Sequence, residues 1–271
     1  MRAPTRTLVL LSMLVLGCDN KPKVDPAEAE AKLQADLKSA AAWTRNNKPK
    51  DAEKLYNEIL QAHPDQPQAL AGLAKLRLQD DKLDEALSLA DKSIAAKADD
   101  ATVHALRGDV LARKGDHAAA AAAYGKAFEL APDKSEYGLP HGVQLKLAKK
   151  YDEAETVLRK VAELDPMAQF VYTELGDVMR AQNRLDDSLK TYMKALSMWA
   201  SDKMAHAGAA QVYEAKGDLS HALDEWSTYV RMDCCSPYST DVAKKKIVEL
   251  QAASNAGGGA PPAEPPPAQP G

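Results

Sequence analysis

Small residues recur at a fixed interval along most of this 271-residue chain. Counting from Leu33 in steps of 34 residues gives six windows, and the eighth and twentieth positions of every window are small. These positions hold Ala40, Ala74, Gly108, Gly142, Gly176 and Ala210, then Ala52, Ala86, Ala120, Ala154, Ser188 and Ala222. Because antiparallel helices approach closely only where side chains are small, the period predicts six helical hairpins.

Large apolar residues and turn residues follow the same register. The eleventh and twenty-fourth positions hold Trp43, Leu111, Leu145, Met179 and Tyr213, then Tyr56, Tyr124, Leu158, Tyr192 and Trp226. Residues that tolerate a left-handed backbone stand at the fifteenth position, as Asn47, Asp81, Gly115, Asn183 and Gly217. Helix-ending prolines close three windows, as Pro64, Pro132 and Pro166. Each window therefore predicts a helix, a turn and a second helix.

Two windows depart from the pattern. The second has Arg77 and Ala90 where large apolar residues are expected, which predicts looser packing there. The fourth has Gly138 and Pro140 early in its first helix, and a proline is tolerated in the first turn but not in a helix interior. We therefore expect this helix to start late, near Leu139, or to bend there.

The pattern resembles the tetratricopeptide repeat. The third window carries it most fully, with Arg107-Gly108, Leu111, Gly115, Ala120, Tyr124, Ala127 and Pro132. The resemblance covers about residues 33–235 and implies an all-α fold, a right-handed α-solenoid of six hairpins. The hairpins are expected at residues 33–66, 67–100, 101–134, 135–168, 169–202 and 203–236.

The solenoid needs a polar cap at its exposed end, and residues 237–254 fit a capping helix. Ser236 or Ser239 can cap its start. An apolar stripe is expected from Val242, Ile247, Val248 and Leu250. The following residues, 255–271, are rich in Pro, Gly and Ala and are expected to be disordered.

The N-terminal residues 1–17 predict a signal peptide. Met1–Arg6 is basic, and the apolar run Thr7–Leu16 is too short to span a bilayer, which needs roughly 20 apolar residues. The sequence Val15-Leu16-Gly17-Cys18 resembles a bacterial lipobox, although Leu16 is bulkier than usual. The resemblance implies that Cys18 becomes a lipidated N-terminus and that residues 18–32 link the lipid to the solenoid.

Charge and motifs argue against several function classes. The chain has 35 basic and 39 acidic residues and no evident basic face, so we expect no nucleic-acid partner. We find no pair of histidines with zinc-helix spacing, no phosphate loop and no nucleophile elbow. His104 and His206 occupy equivalent positions, which favours a packing role. We therefore expect that the protein is not an enzyme and that it binds no cofactor, metal or small-molecule substrate.

The adjacent residues Cys234 and Cys235 leave three alternatives open. They can form a disulfide with each other, bridge to another chain, or stay reduced and buried.

The repeat resemblance implies a groove lined by the second, fifth, ninth, twelfth and thirteenth positions of each window. The fifth positions lack the Lys and Asn of the carboxylate clamp found in chaperone-binding members: Leu37, Ala71, Ala105, Leu139, Thr173 and Ala207. Apolar residues cluster in the fourth and fifth windows, which predicts an exposed patch, unless some pack against the next hairpin. The predicted partner-binding residues are Leu139, Val143, Lys146, Leu147, Phe170, Asp177 and Arg180.

A lipid end, a spacer and a binding solenoid resemble the pilotin lipoproteins of type IV pilus systems, which help an outer-membrane secretin assemble. This implies a membrane-anchored scaffold or assembly factor for an envelope complex. It would bind protein partners in the periplasm, with the outer membrane favoured over the inner. The alternatives are a structural linker in another envelope machine, such as gliding motility or outer-membrane protein insertion, and a non-catalytic activator of a cell-wall enzyme.

Overall fold

A computed structural model of the chain describes residues 25–257, and its regular elements are all helical. Twelve helices form six consecutive hairpins, which confirms the predicted α-solenoid. The helices are α1 (Pro26–Arg45), α2 (Pro49–Ala62), α3 (Pro67–Gln79), α4 (Leu83–Ala96), α5 (Ala101–Arg113), α6 (His117–Leu130), α7 (Ser135–Leu147), α8 (Tyr151–Leu164), α9 (Val171–Ala181), α10 (Leu185–Met198), α11 (Lys203–Ala215) and α12 (Leu219–Met232). The predicted signal peptide, Cys18 and most of the expected disordered tail lie outside the described residues.

The second helices follow the 34-residue period without deviation. Each is 14 residues long, and they start at Pro49, Leu83, His117, Tyr151, Leu185 and Leu219. The residue at the fifteenth position of every window has a positive φ: Asn47, Asp81, Gly115, Lys149, Asn183 and Gly217. The predicted turns are therefore confirmed, and Lys149 adopts the same conformation in the fourth window.

The two helices of a hairpin come into close contact where the sequence places small residues. The alanines at the eighth and twentieth positions are fully buried, and Ser188 is buried with them. In the third hairpin the ring of Tyr124 lies against Gly108, where a Cβ atom would come within 2.9 Å of the ring. The Ser188 hydroxyl donates a 2.8 Å hydrogen bond to the Gly176 carbonyl. Small residues therefore bring the two helices of a hairpin together, as predicted.

Hydrogen bonds join successive hairpins at both ends of their helices. At the hairpin turns, Lys114 pairs with Asp84, and Lys216 pairs with Asp186. The segments that follow each hairpin lie on the opposite side. With the adjoining helix ends, we call them the linker edge: residues 63–66, 97–100, 131–134, 165–170, 199–202 and 233–236. Each linker contact reaches back to the preceding hairpin, as in Ser135–Asp165 (3.5 Å), Thr173–Asp202 (2.5 Å) and Lys203–Asp233 (3.0 Å). The linkers are therefore stacked along one edge.

The second hairpin is packed rather than loose. Ala90 is fully buried, and the Arg77 side chain is only 16% exposed. Its guanidinium bonds Glu53 at 2.6 Å and Glu85 at 2.8 Å, which ties the second hairpin to the first. The expected loosening is wrong because the long arginine stem replaces an apolar residue while its head is paired.

The expected late start of α7 is also wrong. The helix begins at Ser135 and contains Pro140 as its sixth residue. The proline removes one hydrogen bond to the carbonyl of Glu136. Gly138 lets the helix pack closely against its neighbours, because a Cβ there would meet Val161 at 2.5 Å and Phe128 at 3.0 Å. Tertiary contact therefore keeps this sequence helical where local propensity disfavours it.

The fifth hairpin contains a shift that the period does not predict. Helix α9 begins at Val171, two residues later than the 34-residue spacing requires, so the linker before it is longer than the others. Phe170 precedes the helix with a φ of 69°, in the left-handed region. The other non-glycine residues of the described chain that have a positive φ all lie at hairpin turns, whereas Phe170 lies between two hairpins.

A capping helix follows the sixth hairpin. One π-helical turn at Ser239–Ala243 continues into α13, Lys244–Gly257, and the Ser236 hydroxyl accepts the backbone N–H of Ser239 at 3.1 Å. Leu250 is buried, but Val248 is 65% exposed, so the expected apolar stripe is wrong for Val248. At the other end α1 already includes residues 26–32 of the expected linker. A disulfide joins Cys234 to Cys235 between α12 and the cap.

Candidate functional site

The candidate site is the groove lined by the first helix of each hairpin. Its central charged residue is Lys146 on α7, whose Nζ lies 2.8 Å from Asp177 and 2.5 Å from Glu174 on α9. All three side chains are less than a quarter exposed. The Glu174 contact is an ion pair rather than a well-aligned hydrogen bond, although its buried Oε2 atom lies close to the ammonium group. Lys146 therefore joins the fourth hairpin to the fifth.

Arg180 and Tyr192 extend this cluster. The Tyr192 hydroxyl donates a 2.6 Å hydrogen bond to Asp177, while Arg180 lies 3.3 Å from Asp177 and 3.4 Å from the Tyr192 oxygen. The structure thus brings together the three charged residues predicted from the sequence: Lys146, Asp177 and Arg180. Sequence reasoning missed Glu174 and treated Tyr192 as core alone, because a core ring with a polar tip is not distinguishable by position.

Burial and charge shift the pKa values of this cluster in different directions. Burial lowers the pKa of Lys146, but the carboxylates of Asp177 and Glu174 outweigh burial and raise it. Burial raises the pKa of Asp177, yet Lys146 holds it below its ordinary value. The pKa of Glu174 is raised, because its burial outweighs the attraction of Lys146. Glu174 is therefore the carboxyl that takes up a proton first as the pH falls.

The polar groove continues to the capping helix. Gln211 donates a 3.1 Å hydrogen bond to the hydroxyl of Tyr238, whose pKa is raised by burial. Glu214 accepts the indole N–H of Trp226 at 2.6 Å and pairs with Lys246 at 3.0 Å. The groove of the last three hairpins is therefore lined by polar groups that mostly bond one another.

The predicted apolar patch is divided in the structure. Leu139 is half-buried and packs against the core, which is the alternative that the sequence left open. Val143 is also half-buried, whereas Leu147 is 46% exposed on the groove. Phe170 is 42% exposed but belongs to the linker edge, because α9 starts after it. Leu147 is therefore the most exposed apolar residue of the predicted groove set on α7.

A pocket that the sequence did not indicate lies in the groove of hairpins two to four. It has a volume of about 310 Å³, and small residues leave the space open. Its lining is Ala71, Gly72, Lys75, Thr102, Val103, Ala105, Leu106, Asp109 and Tyr137. The Tyr124 hydroxyl donates to Asp109 and fixes that carboxylate at the pocket wall. The alanines at the fifth positions were the available signal, since they remove side-chain volume from the groove.

Comparison with known sequences identifies the fold family. Family models described as tetratricopeptide repeat match residues 44–110, 101–134 and 173–231. The chain belongs to the tetratricopeptide-repeat family. Repeats of this family typically form non-catalytic, protein-binding scaffolds, and the groove described above is consistent with that role.

Two curated relatives share about a third of the chain. Cellulose synthase operon protein C of Pseudomonas fluorescens (strain SBW25) is 35% identical over 107 residues, which are 36% of this chain and 8% of that protein. Small glutamine-rich tetratricopeptide repeat-containing protein 2 of Mycosarcoma maydis is 26% identical over 95 residues, which are 35% of this chain and 27% of that protein. The chain thus matches only a small part of each relative.

Solved structures match over a larger share of the chain. A tetratricopeptide-repeat protein from Parabacteroides merdae superposes with a TM-score of 0.67 at 16% identity, covering 82% of this chain and 88% of that one. The structure from a functional characterization of Pseudomonas aeruginosa pilF gives 0.66 at 16% identity, covering 83% and 99%. YrrB, described as having an unusual peptide-binding site, gives 0.58 at 17% identity, covering 70% and 97%. These identities establish a shared fold.

Two negative findings apply to residues 25–257. None of the helices in that range is both long and apolar enough to cross a membrane. The same range brings together no group of three or more His, Cys, Asp or Glu side chains suited to a metal ion.

Proposed function

We propose that this protein is a membrane-anchored scaffold that assembles an envelope complex by holding a partner segment in its groove. The single observation that carries the proposal is the open groove pocket of hairpins two to four. Its lining includes the small residues Ala71, Gly72 and Ala105, and it carries one cation, Lys75, and one anion, Asp109. Both charged side chains are exposed and available to a partner.

The two halves of the groove have different properties. The pocket offers apolar volume between Ala71 and Ala105 for a partner side chain. The cluster around Lys146 is paired and mostly buried, so it holds the hairpins at a fixed spacing. A preformed groove binds an extended segment with a smaller loss of conformational entropy than a flexible one. We therefore assign recognition to the pocket and rigidity to the ionic cluster.

The proposed anchor is a lipid on Cys18, with the solenoid in the periplasm and the outer membrane favoured. Seven residues, 19–25, separate Cys18 from the start of α1. At no more than about 3.6 Å per residue, they span at most about 25 Å. The lipid would therefore keep the first hairpin close to the membrane surface.

Secretin assembly in a type IV pilus system is the specific role that we propose. The lipobox-like sequence and six hairpins match the layout expected for a pilotin. The similarity to the Pseudomonas aeruginosa pilF structure over 83% of this chain supports the architecture that such a role requires. The proposed role concerns binding and placement of subunits, and it requires no chemistry from the chain.

The anchor is tested by replacing Cys18 with serine in the native host. We expect metabolic labelling with an alkyne fatty acid to be lost and the protein to move from the membrane to the soluble envelope fraction. Retention of the label in Cys18→Ser would overturn the lipid assignment. The result does not depend on the groove.

The groove is tested by photocrosslinking from inside and outside the pocket. A benzophenone amino acid at position 105 should crosslink one partner, whereas the same residue at the exposed position 248 should not. Deletion of the gene should leave secretin or pilus subunits unassembled. Subunits that assemble but are misplaced would instead identify a structural linker.

A further inference from the structure

The linker edge carries most of the exposed apolar side chains of the described chain. Within residues 25–257, eight large apolar residues are exposed, and six of them lie on this edge. They are Leu130 (36%), Leu164 (44%), Met167 (65%), Phe170 (42%), Met204 (49%) and Met232 (42%). Exposed apolar residues concentrated along one edge mark an interaction surface more often than residues scattered singly.

Four of these residues belong to the third, fourth and fifth windows and form what we call the linker patch: Leu130, Leu164, Met167 and Phe170. Leu130 and Leu164 end α6 and α8, and Met167 and Phe170 lie in the linker between α8 and α9. The Ser135–Asp165 contact stacks the two linkers that carry the patch. The patch therefore follows consecutive linkers along one edge, and it is separate from the groove pocket of hairpins two to four.

Backbone conformation brings Phe170 into this patch. Its φ of 69° is unfavourable for a residue with a Cβ atom, and an aromatic residue has no side-chain hydrogen bond to offset the strain. The late start of α9 lengthens the linker and leaves Met167 and Phe170 exposed together. Strained, exposed conformations of this kind occur preferentially at functional sites.

The charges around the patch define the chemistry of its partner. Residues 129–136 and 163–170 contain five acidic residues and one basic residue: Glu129, Asp133, Glu136, Glu163 and Asp165, with Lys134. All of them except Asp165 are exposed. Two copies of such a surface would repel each other. An anionic membrane would also repel this surface. An apolar row bordered by carboxylates complements a segment that presents apolar and basic side chains.

We propose that the linker patch binds an amphipathic segment of a partner protein that carries an apolar stripe flanked by lysine or arginine. The surface is additional to the groove and does not depend on what the groove binds. A solenoid with both sites holds two protein segments at once, one inside the groove and one along its edge.

The test uses three fluorescent model peptides and the mature chain. One is an amphipathic helix of leucine and lysine, the second has glutamate in place of lysine, and the third is the leucine–lysine peptide with its order scrambled. Fluorescence anisotropy gives their affinities. We expect the leucine–lysine peptide to bind at least about ten-fold more tightly than either of the others, with weaker binding at high salt.

Two variants locate the binding. Met167→Ser combined with Phe170→Asn should lower the affinity for the leucine–lysine peptide at least about ten-fold, because the double substitution removes two exposed anchors. Asparagine suits the left-handed backbone at position 170, so helix content should be retained. Val248→Ser removes an equally exposed apolar side chain outside the patch and should leave the affinity within about two-fold of the parent protein.

Charge reversal and self-association complete the test. Glu136→Lys combined with Glu163→Lys should lower the affinity for the same peptide, while the circular dichroism spectrum of the protein stays unchanged. The proposal is overturned if both patch variants bind the peptide like the parent chain, or if the glutamate peptide binds as well as the lysine peptide. It is also overturned if sedimentation shows a dimer that the double variant abolishes, since the occupant would then be a second copy.

Discussion

The ring of Tyr192 packs directly against Gly176, where a Cβ atom would approach the ring carbon Cε1 to 2.6 Å. The same ring also lies against Gly208 of the next hairpin. One aromatic side chain thus occupies the contact between two glycines and joins the fifth hairpin to the sixth. Its hydroxyl reaches the groove and bonds Asp177.

Gly176→Ala should destabilise the protein. Overpacking against the fully buried Tyr192 ring costs about 1–3 kcal/mol, and the gain in helix propensity returns about 1 kcal/mol. We expect a net loss of up to about 2 kcal/mol in urea unfolding. Gly125→Ala is the control, because its added methyl group meets only the His141 ring, at 3.0 Å, and a side chain can adjust. Equal stability of the two variants would contradict close packing at Gly176.

Lys146→Met should leave Glu174 without its cation and Asp177 with only the more distant Arg180, and both carboxylates are mostly buried. We expect a loss of about 1–3 kcal/mol, measured by urea unfolding. The loss should be larger at pH 8 than at pH 5, because without the cation both carboxyl pKa values rise and ionisation becomes unfavourable in the folded state. Lys126→Met is the control: its pair with Glu129 is exposed, and we expect a change below about 0.5 kcal/mol.

His206→Gln should produce a pH-dependent loss of stability. One ring nitrogen lies 2.5 Å from Glu225 and the other 3.2 Å from the Ala200 carbonyl, and the bond to Glu225 is the main cause of the raised pKa. A raised histidine pKa contributes stability below its unfolded value of about 6.5, and that contribution disappears as the pH rises through the folded pKa. The difference in Tm should therefore be larger at pH 5.5 than at pH 9.

The equivalent His104 provides the control for this titration. Its ring bonds the Ala98 carbonyl at 2.9 Å, in the same place relative to the linker. His104→Gln should lower Tm through the loss of this carbonyl contact alone. A difference in Tm for His206→Gln that does not change with pH would show that the Glu225 bond contributes no charge pairing.

Phe170→Asn should stabilise the chain rather than weaken it. A left-handed backbone costs about 1–2 kcal/mol for most residues with a Cβ atom, and asparagine tolerates it better. Because the Phe170 ring is 42% exposed, the apolar burial that it loses offsets only part of this relief. We expect a gain of up to about 1 kcal/mol in the free energy of unfolding. Val248→Asn, at a more exposed helical position with an ordinary backbone, should not show this gain.

The helical frame was predictable because its determinants are local and repeated. Small residues at the eighth and twentieth positions, and Asn47, Asp81 and their equivalents at the turns, specify each hairpin without reference to the others. The register persists even where a turn residue is unusual, as at Lys149. Repetition compensates for such single deviations, since packing against neighbours fixes the turn.

The site was less predictable because its contacts depend on side chains from different hairpins. Lys146 and Asp177 are 31 residues apart, and their pairing depends on how α7 and α9 stack. Helix propensity misjudged Pro140, which tertiary contacts hold inside α7. The period also concealed the late start of α9, because α10 keeps its spacing and the shift is absorbed within one linker.

Because each hairpin packs only against its neighbours, the array can extend and recoil elastically along its axis. The main contacts join consecutive helices, and smaller contacts join α1 to α3, α3 to α5, α7 to α9 and α9 to α11. A small rotation at each of these joints accumulates along the array and changes its pitch without breaking any single contact. Load applied at one end should therefore extend the array gradually, and amide exchange should be slowest in its middle hairpins.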